Sequence, residues 1–156
     1  MSFHNDLESL EPEMREKIKA LITRCELAGC QILVNETLRE QTTQNAYYAQ
    51  GRQSLVAVNS LRHTAGLWHL TETENRQIIT DSLDMVYKGV GHGNGTAFDI
   101  VPLRNGKAYW SAPRELWEKI GLIGEGLGLV WGGRWGSYGS PKWDGPHFQL
   151  KREGEK

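Results

Sequence analysis

Apolar residues recur at three- and four-residue steps early in the chain, where Met14, Ile18, Leu21, Ile22 and Cys25 follow the start signal Ser9, Pro12 and Glu13. The spacing predicts an amphipathic scaffold helix that Gly29 stops. Gln31 to Thr37 then changes to β-branched and apolar residues, a predicted strand that delivers Arg39 just beyond its end. A short helix is predicted over Thr42 to Gln50, closed by Gly51, and another over Ser54 to Ala65, with Leu55, Val58 and Leu61 on one side and Gly66 at its end. Ile78 with Ile79, and Met85 to Tyr87, are short strand candidates.

The second half alternates more sharply. After the glycine-rich turn Gly89 to Gly95, the run Ala97 to Val101 predicts a strand with Phe98 and Ile100 on one face and Ala97, Asp99 and Val101 on the other. Ser111, Pro113 and Glu115 open a further helix, whose predicted apolar stripe is Leu116, Ile120, Ile123 and Leu127 before Gly128. Leu129 to Trp143 is rich in Gly and Trp and predicts a strand leading into an irregular aromatic loop. His147 to Leu150 predicts a last strand, with His147 and Gln149 on one face and Phe148 and Leu150 on the other. The residues after Lys151 resemble a charged, frayed tail, and His4 belongs to the opposite tail. No repeat, low-complexity stretch or linker interrupts the pattern, so the 156 residues predict a single domain over 1–156 with its core at about 10–150.

Composition narrows the partners. A hydrophobic content of 38% with six Trp argues against a disordered chain, and a net charge of -1 removes the electrostatic case for nucleic acid or an anionic membrane surface. Cys25 and Cys30 lack the CxxC spacing and read as reduced structural thiols. The N-terminus has neither a basic nor an apolar signal region, and no apolar run approaches the roughly 20 residues that span a bilayer. The expectation is a protein made soluble in the cytoplasm, without membrane insertion.

The candidate chemistry lies in His92-Gly-Asn-Gly-Thr-Ala-Phe-Asp99 and, further on, Asp144-Gly-Pro-His147. Zinc in hydrolases takes three protein ligands from His and Asp or Glu and leaves one position for water, while a nearby carboxylate accepts a proton. His92, Asp99 and His147 fit the ligands and Asp144 the base. The odd spacing from His92 to Asp99 would put the two on opposite faces of a regular strand; Gly93 and Gly95 permit the turn that brings His92 round. Each half has a bland alternative: the first pair is common by chance, and the second also fits an Asx-turn entering a strand.

Taken together, HxxGxAxD (His92, Gly95, Ala97, Asp99), LGLxWGGxW (Leu127 to Trp135) and DxPHF (Asp144, Pro146, His147, Phe148) resemble the D-alanyl-D-alanine carboxypeptidase/VanY-type zinc peptidases. Within that group the chain is most similar to the bacteriophage endolysins that are L-alanyl-D-glutamate endopeptidases. Arg39, Gln44, Tyr48, Ala49, Gln50, Gly51 and Arg52 match the family's upstream segment in order and spacing, so the resemblance runs from about Gln31 to Leu150. It implies an α+β fold, a small mainly antiparallel sheet carrying the metal with helices packed on its other face. It also implies Zn2+ held by His92, Asp99 and His147, Asp144 as general base, and Arg39 in the cleft stabilising the developing oxyanion. The implied substrate is the peptidoglycan stem peptide at its L-alanyl-D-glutamate bond. A lysin without an export signal then needs a membrane hole, such as a phage holin, as a functional rather than physical partner.

The chain departs from the family pattern at Val90, where many members have Ser, and at Thr37-Leu-Arg39-Glu40 in place of Gly-Tyr-Arg-Ser. Two rivals remain: a D,D-carboxypeptidase or dipeptidase, and a catalytically silent zinc-holding recognition domain, against which the retained Asp144 argues. His63 and His69 match no family motif and read as surface or packing residues. Trp131 reads as packing, Trp135 and Trp143 as either packing or cleft wall, and Glu40 and Gln44 as helix-surface groups.

Overall fold

Pro12 sits in the first turn of helix α1 (Pro12–Leu27), where its missing N–H leaves no helical bond unmade. The computed structural model describes residues 6–80, 83–86, 90–152 and 155. The chain continues through β1 (Ile32–Glu36), α2 (Gln41–Ala49), α3 (Leu55–Thr64), α4 (Glu72–Asn75), β2 (Ala97–Arg104), β3 (Lys107–Ala108), α5 (Arg114–Gly126), β4 (Val130–Trp131) and β5 (His147–Gln149). The main path of the sheet runs β1-β2-β5-β4, with β3 pairing β2, and these four pairings are antiparallel. This is the α+β architecture that the sequence implies.

One face of the sheet carries the core. Phe98 and Ile100 of β2, Trp131 of β4 and Phe148 of β5 are buried with Met14, Ile18 and Leu21 of α1 and Trp117 and Ile120 of α5. Phe98 and Phe148 are register partners, and their rings stack 5.6 Å apart. The α5 stripe differs from the expectation: Trp117, Ile120, Gly121 and Gly124 are buried, while Leu116, Ile123 and Leu127 only flank the core. A Cβ at Gly121 would enter the Trp131 ring and one at Gly124 the Phe148 ring, so these glycines set how closely α5 lies on the sheet. A smaller cluster of Ala49, Val58 and Leu70, with Leu55 and Leu61 against it, holds α2 and α3 together.

Other expectations shift. Ile78 and Ile79 form no strand; both are about half exposed and lie in irregular chain after α4. Met85 and Val86 are not in a strand either, and Tyr87, the start of the Gly89 to Gly95 turn, and His4 fall outside the described residues. Gln44 is buried, not a helix-surface group, because it turns inward onto Arg39. Cys25 and Cys30 are both buried free thiols, with the Cys25 thiol pushed up to about 12, first by burial and then by Cys30.

Candidate metal centre

The other face of the sheet brings the predicted chemistry together. In the pairing of β2 with β5, Asp99 lies opposite His147, so two residues far apart in sequence become cross-strand neighbours. Pairing of β1 with β2 is interrupted by a bulge between Val34 and Glu36, which sets Glu36 opposite Asp99 as well. His92 opens a short 3-10 turn, His92–Asn94, and Gly95 follows at φ 75°, a left-handed conformation that glycine adopts without strain. That turn carries His92 round to Asp99. A Cβ at Gly95 would press on the Ser9 and Leu10 backbone, and the Gly95 carbonyl accepts from Glu11 N–H at 3.0 Å, which fastens the loop to the start of α1.

Asp99 Oδ1 lies 3.4 Å from His92 Nε2 and 3.2 Å from His147 Nδ1, and one ligand atom from each residue falls within 4.8 Å of the others. Ligands at zinc's usual bond lengths in a tetrahedron are about 3.3 Å apart, so the two measured edges match a zinc polyhedron. Each imidazole is oriented by a hydrogen bond from its far nitrogen. His92 Nδ1 lies 2.8 Å from the Thr37 carbonyl, which can only accept, so Nε2 is left with its lone pair toward the centre. His147 Nε2 lies 2.9 Å from Gln149 Oε1, which likewise leaves Nδ1 for a metal. Two imidazoles and a carboxylate, each presenting a lone pair, form the borderline donor set that zinc takes.

Electrostatics within the protein alone already favour a charged pair. Burial works to raise the Asp99 carboxyl, but the His92 and His147 charges and hydrogen bonds outweigh it and hold Asp99 well below the usual range. Burial works to lower His147, and its hydrogen bond and charge interaction with Asp99, with Asp144 behind, hold it above 6.5 instead. Asp144 stands beside the set, with Oδ2 4.0 Å from His147 Nδ1. Its carboxyl is pushed up to about 6, first by removal from water and then by the Asp99 charge, against the pull of His147, His92 and Arg39.

Arg39 reaches the same cavity in a constrained form. Its Nε and Nη2 donate to Glu36 at 2.6 and 2.8 Å, Nη1 donates to Gln44 Oε1 at 2.7 Å, and Nη2 lies 3.7 Å from Asp99 Oδ2. The guanidinium also lies over Tyr47, 5.2 Å from the ring centre. A cavity of about 620 Å³ opens over the centre, lined by His92, Asp99, Asp144 and His147 with Arg39 and Trp135 on its walls. Val90, at the position where the sequence departs from the family pattern, is part of that wall.

The five predicted site residues therefore meet in one place. Trp135 is cleft wall, its ring 5.0 Å from that of His147, and Trp143 packs edge-on to Trp117 at 5.8 Å while lining a neighbouring cleft. Trp131 is core, as expected, with Nε1 donating to the Gly145 carbonyl at 2.7 Å. His63 and His69 are exposed, 6.1 Å apart, and outside the cavity lining. Sequence reasoning missed Glu36 and Gln149. Gln149 had a signal, since it shares a strand face with His147; Glu36 had none, because only the bulge turns it inward.

Residues 91–150 match the sequence profile of a family described as D-alanyl-D-alanine carboxypeptidase, a span that holds His92, Asp99, Asp144 and His147. The fold is similar to that of the L-Ala D-Glu endopeptidase ChiX of Serratia marcescens, with a TM-score of 0.56 at 18% identity over 93% of this chain and 83% of that one. It is also similar to the vancomycin-resistance D,D-pentapeptidase VanY, solved in complex with Zn(II), with a TM-score of 0.52 at 10% identity over 90% of this chain and 72% of that one. The LD-carboxypeptidase LdcB, whose structure concerns peptidoglycan recognition, gives a TM-score of 0.52 at 12% identity over 99% of this chain and 65% of that one. At these identities the likeness is one of fold. No described helix is long and apolar enough to cross a membrane.

Proposed function

We propose that this chain, with residues 91–150 matching the D-alanyl-D-alanine carboxypeptidase family, is a zinc metallopeptidase that cuts the peptidoglycan stem peptide between L-alanine and D-glutamate. The observation that supports the reading is the cluster of His92, Asp99 and His147, whose donor atoms lie within 4.8 Å of one another, with Asp144 beside it at the edge of an open cavity. The choice of bond is supported by the fold likeness to ChiX and by the endolysin-like motifs of the sequence. We read the chain as one catalytic domain in the setting of a phage-type endolysin, which meets the wall once a holin has opened the membrane.

Zinc bound by the three ligands supplies Lewis acidity and lowers the pKa of water. Asp144, ionised beside the three ligands, takes the proton of the attacking water and returns it to the leaving amine. Glu36 and Gln44 hold the Arg39 guanidinium on the cavity wall, and its remaining N–H groups serve the carbonyl oxygen as negative charge grows there. Thr37 and Gln149 keep the two imidazoles in the tautomer that ligation needs.

Mass spectrometry of fragments released from peptidoglycan of the direct meso-diaminopimelate type tests the reading. New N-terminal D-glutamate, with L-alanine left on the muramyl side, is the expected result. The family description and the VanY likeness favour a D,D-carboxypeptidase as second reading, and loss of D-alanine alone would select it.

A further inference from the structure

A second cleft, of about 720 Å³, adjoins the metal cavity, and Ile79, Thr80, Trp135 and Asp144 line both. Its volume lies within the roughly 300–1,000 Å³ of small-molecule sites. One wall is the irregular chain after α4, where Ile78 and Ile79 stay about half exposed. The other wall is the loop that ends in Asp144, and it brings Pro141, Lys142 and Trp143 to the cleft. That loop is anchored on both sides of Lys142. Trp143 N–H donates to the Ser140 carbonyl at 3.1 Å, Asp144 N–H donates to the Gly132 carbonyl at 3.1 Å, and the Trp143 ring packs edge-on to Trp117 and Tyr138 at 5.8 and 5.0 Å. Lys142 itself is exposed, and among the described residues lining the cleft it is the single Lys or Arg. Among the described residues no carboxylate or carbonyl engages its ammonium.

We propose that this cleft holds the leaving side of the stem peptide and that Lys142 reads a carboxylate there. The inference rests on the endopeptidase reading above. Asp144 sets the direction, since it returns the proton to the leaving amine and borders both cavities, so the fragment behind that amine runs from the metal into the cleft. In a stem of the diaminopimelate type that fragment is acidic. D-glutamate is extended through its γ-carboxyl and keeps its α-carboxylate free, and diaminopimelate carries a further carboxylate at the end of its side chain. A lysine ammonium is a compact charge with three donors on a flexible stem, so it can meet a carboxylate without demanding one fixed orientation. Ile78 and Ile79 on the facing wall cover the methylene groups of the same two residues. Replacing a carboxylate by a neutral group removes its interaction with the ammonium and leaves the apolar contacts in place.

The test compares three muramyl tetrapeptides with the zinc-loaded wild type, Lys142→Ala and Lys142→Arg. The first has D-glutamate and diaminopimelate in its second and third positions, the next replaces D-glutamate by D-isoglutamine, and the last replaces diaminopimelate by L-lysine. On the first peptide Lys142→Ala is expected to lose about fivefold or more in kcat/KM, as removal of a charge-assisted contact implies, and Lys142→Arg to keep most of the activity. The loss shrinks toward nothing on the peptide that lacks the bound group: on the isoglutamine peptide if Lys142 reads the α-carboxylate of D-glutamate, on the lysine peptide if it reads diaminopimelate. No loss on the first peptide, or a loss of the same size on all three, would overturn the subsite. Failure of the wild type to cut any of them at the L-alanyl bond would overturn the endopeptidase reading itself, and the subsite with it.

Discussion

His147 and Gln149 stand two apart on the same face of β5, and the imidazole Nε2 is joined to the buried Gln149 Oε1 at 2.9 Å. This bond decides which nitrogen of His147 is offered to a metal. Gln149→Leu is expected to weaken zinc binding about 10- to 100-fold, whereas Gln149→Glu, which keeps the acceptor, retains it. Competition with a chromophoric chelator measures both, and equal affinity in wild type and Gln149→Leu would contradict the role. Among the described residues Gln149 Nε2 is buried without a partner, so the glutamate variant also removes an unsatisfied donor.

Asp144 has two signatures as general base. Asp144→Asn should keep one zinc and lose about 10²- to 10⁴-fold in kcat. In the wild type the carboxylate must be ionised to accept a proton, so the rate falls as the pH drops through its pKa. Within the protein alone that value is about 6, and both solvent at the 45% exposed side chain and the charge of a bound cation lower it. The acidic limb of kcat/KM is therefore expected at or below about pH 6, and rising activity on acidification would rule this base out.

Glu36 and Arg39 form a bidentate pair with side chains only 9% and 14% exposed. Removing one partner leaves the other charged and buried, so Glu36→Ala should cost about 3–5 kcal/mol in urea unfolding of the metal-free protein. Replacing both residues should cost less than the sum of the single changes, and strict additivity would show that the pair does not act as a unit.

Gly121 faces the Trp131 ring closely enough that a Cβ would enter it. Alanine is the better helix former by roughly 0.8–1.0 kcal/mol, but overpacking a core costs about 1–3 kcal/mol. The expected outcome for Gly121→Ala is a lower urea midpoint, and a raised midpoint would show that α5 can move off the sheet without loss.

These glycines mark where the sequence was legible and where it was not. Helix α1 followed from its apolar period, because it buries one regular face, and strands β2 and β5 followed from their alternation, although neighbours cover both of their faces. On α5 the stripe was drawn through the large side chains, while the closest approach is made by residues without any, so the buried face was rotated. Helix α4 is four residues long, too short for periodicity, although Thr71 and Glu74 form a capping box that was there to be read. The hairpin joining β2 to β3 likewise had its signal in Asn105-Gly106. At the site, the motifs named the residues that the fold brings together in the cavity, His92, Asp99, Asp144 and His147. The groups that hold them, Thr37, Glu36 and Gln44, come from register, a bulge and tertiary burial, which no local pattern encodes.

The most direct test of zinc-dependent peptidase activity is a titration in which zinc is added in steps to metal-stripped protein while stem-peptide cleavage is followed. The expected result is no cleavage at the start, a rise to a plateau at one zinc per chain, and no such rise in His92→Ala or His147→Ala. Full cleavage by the stripped protein, or a saturated zinc protein that releases nothing from the wall, would contradict that activity.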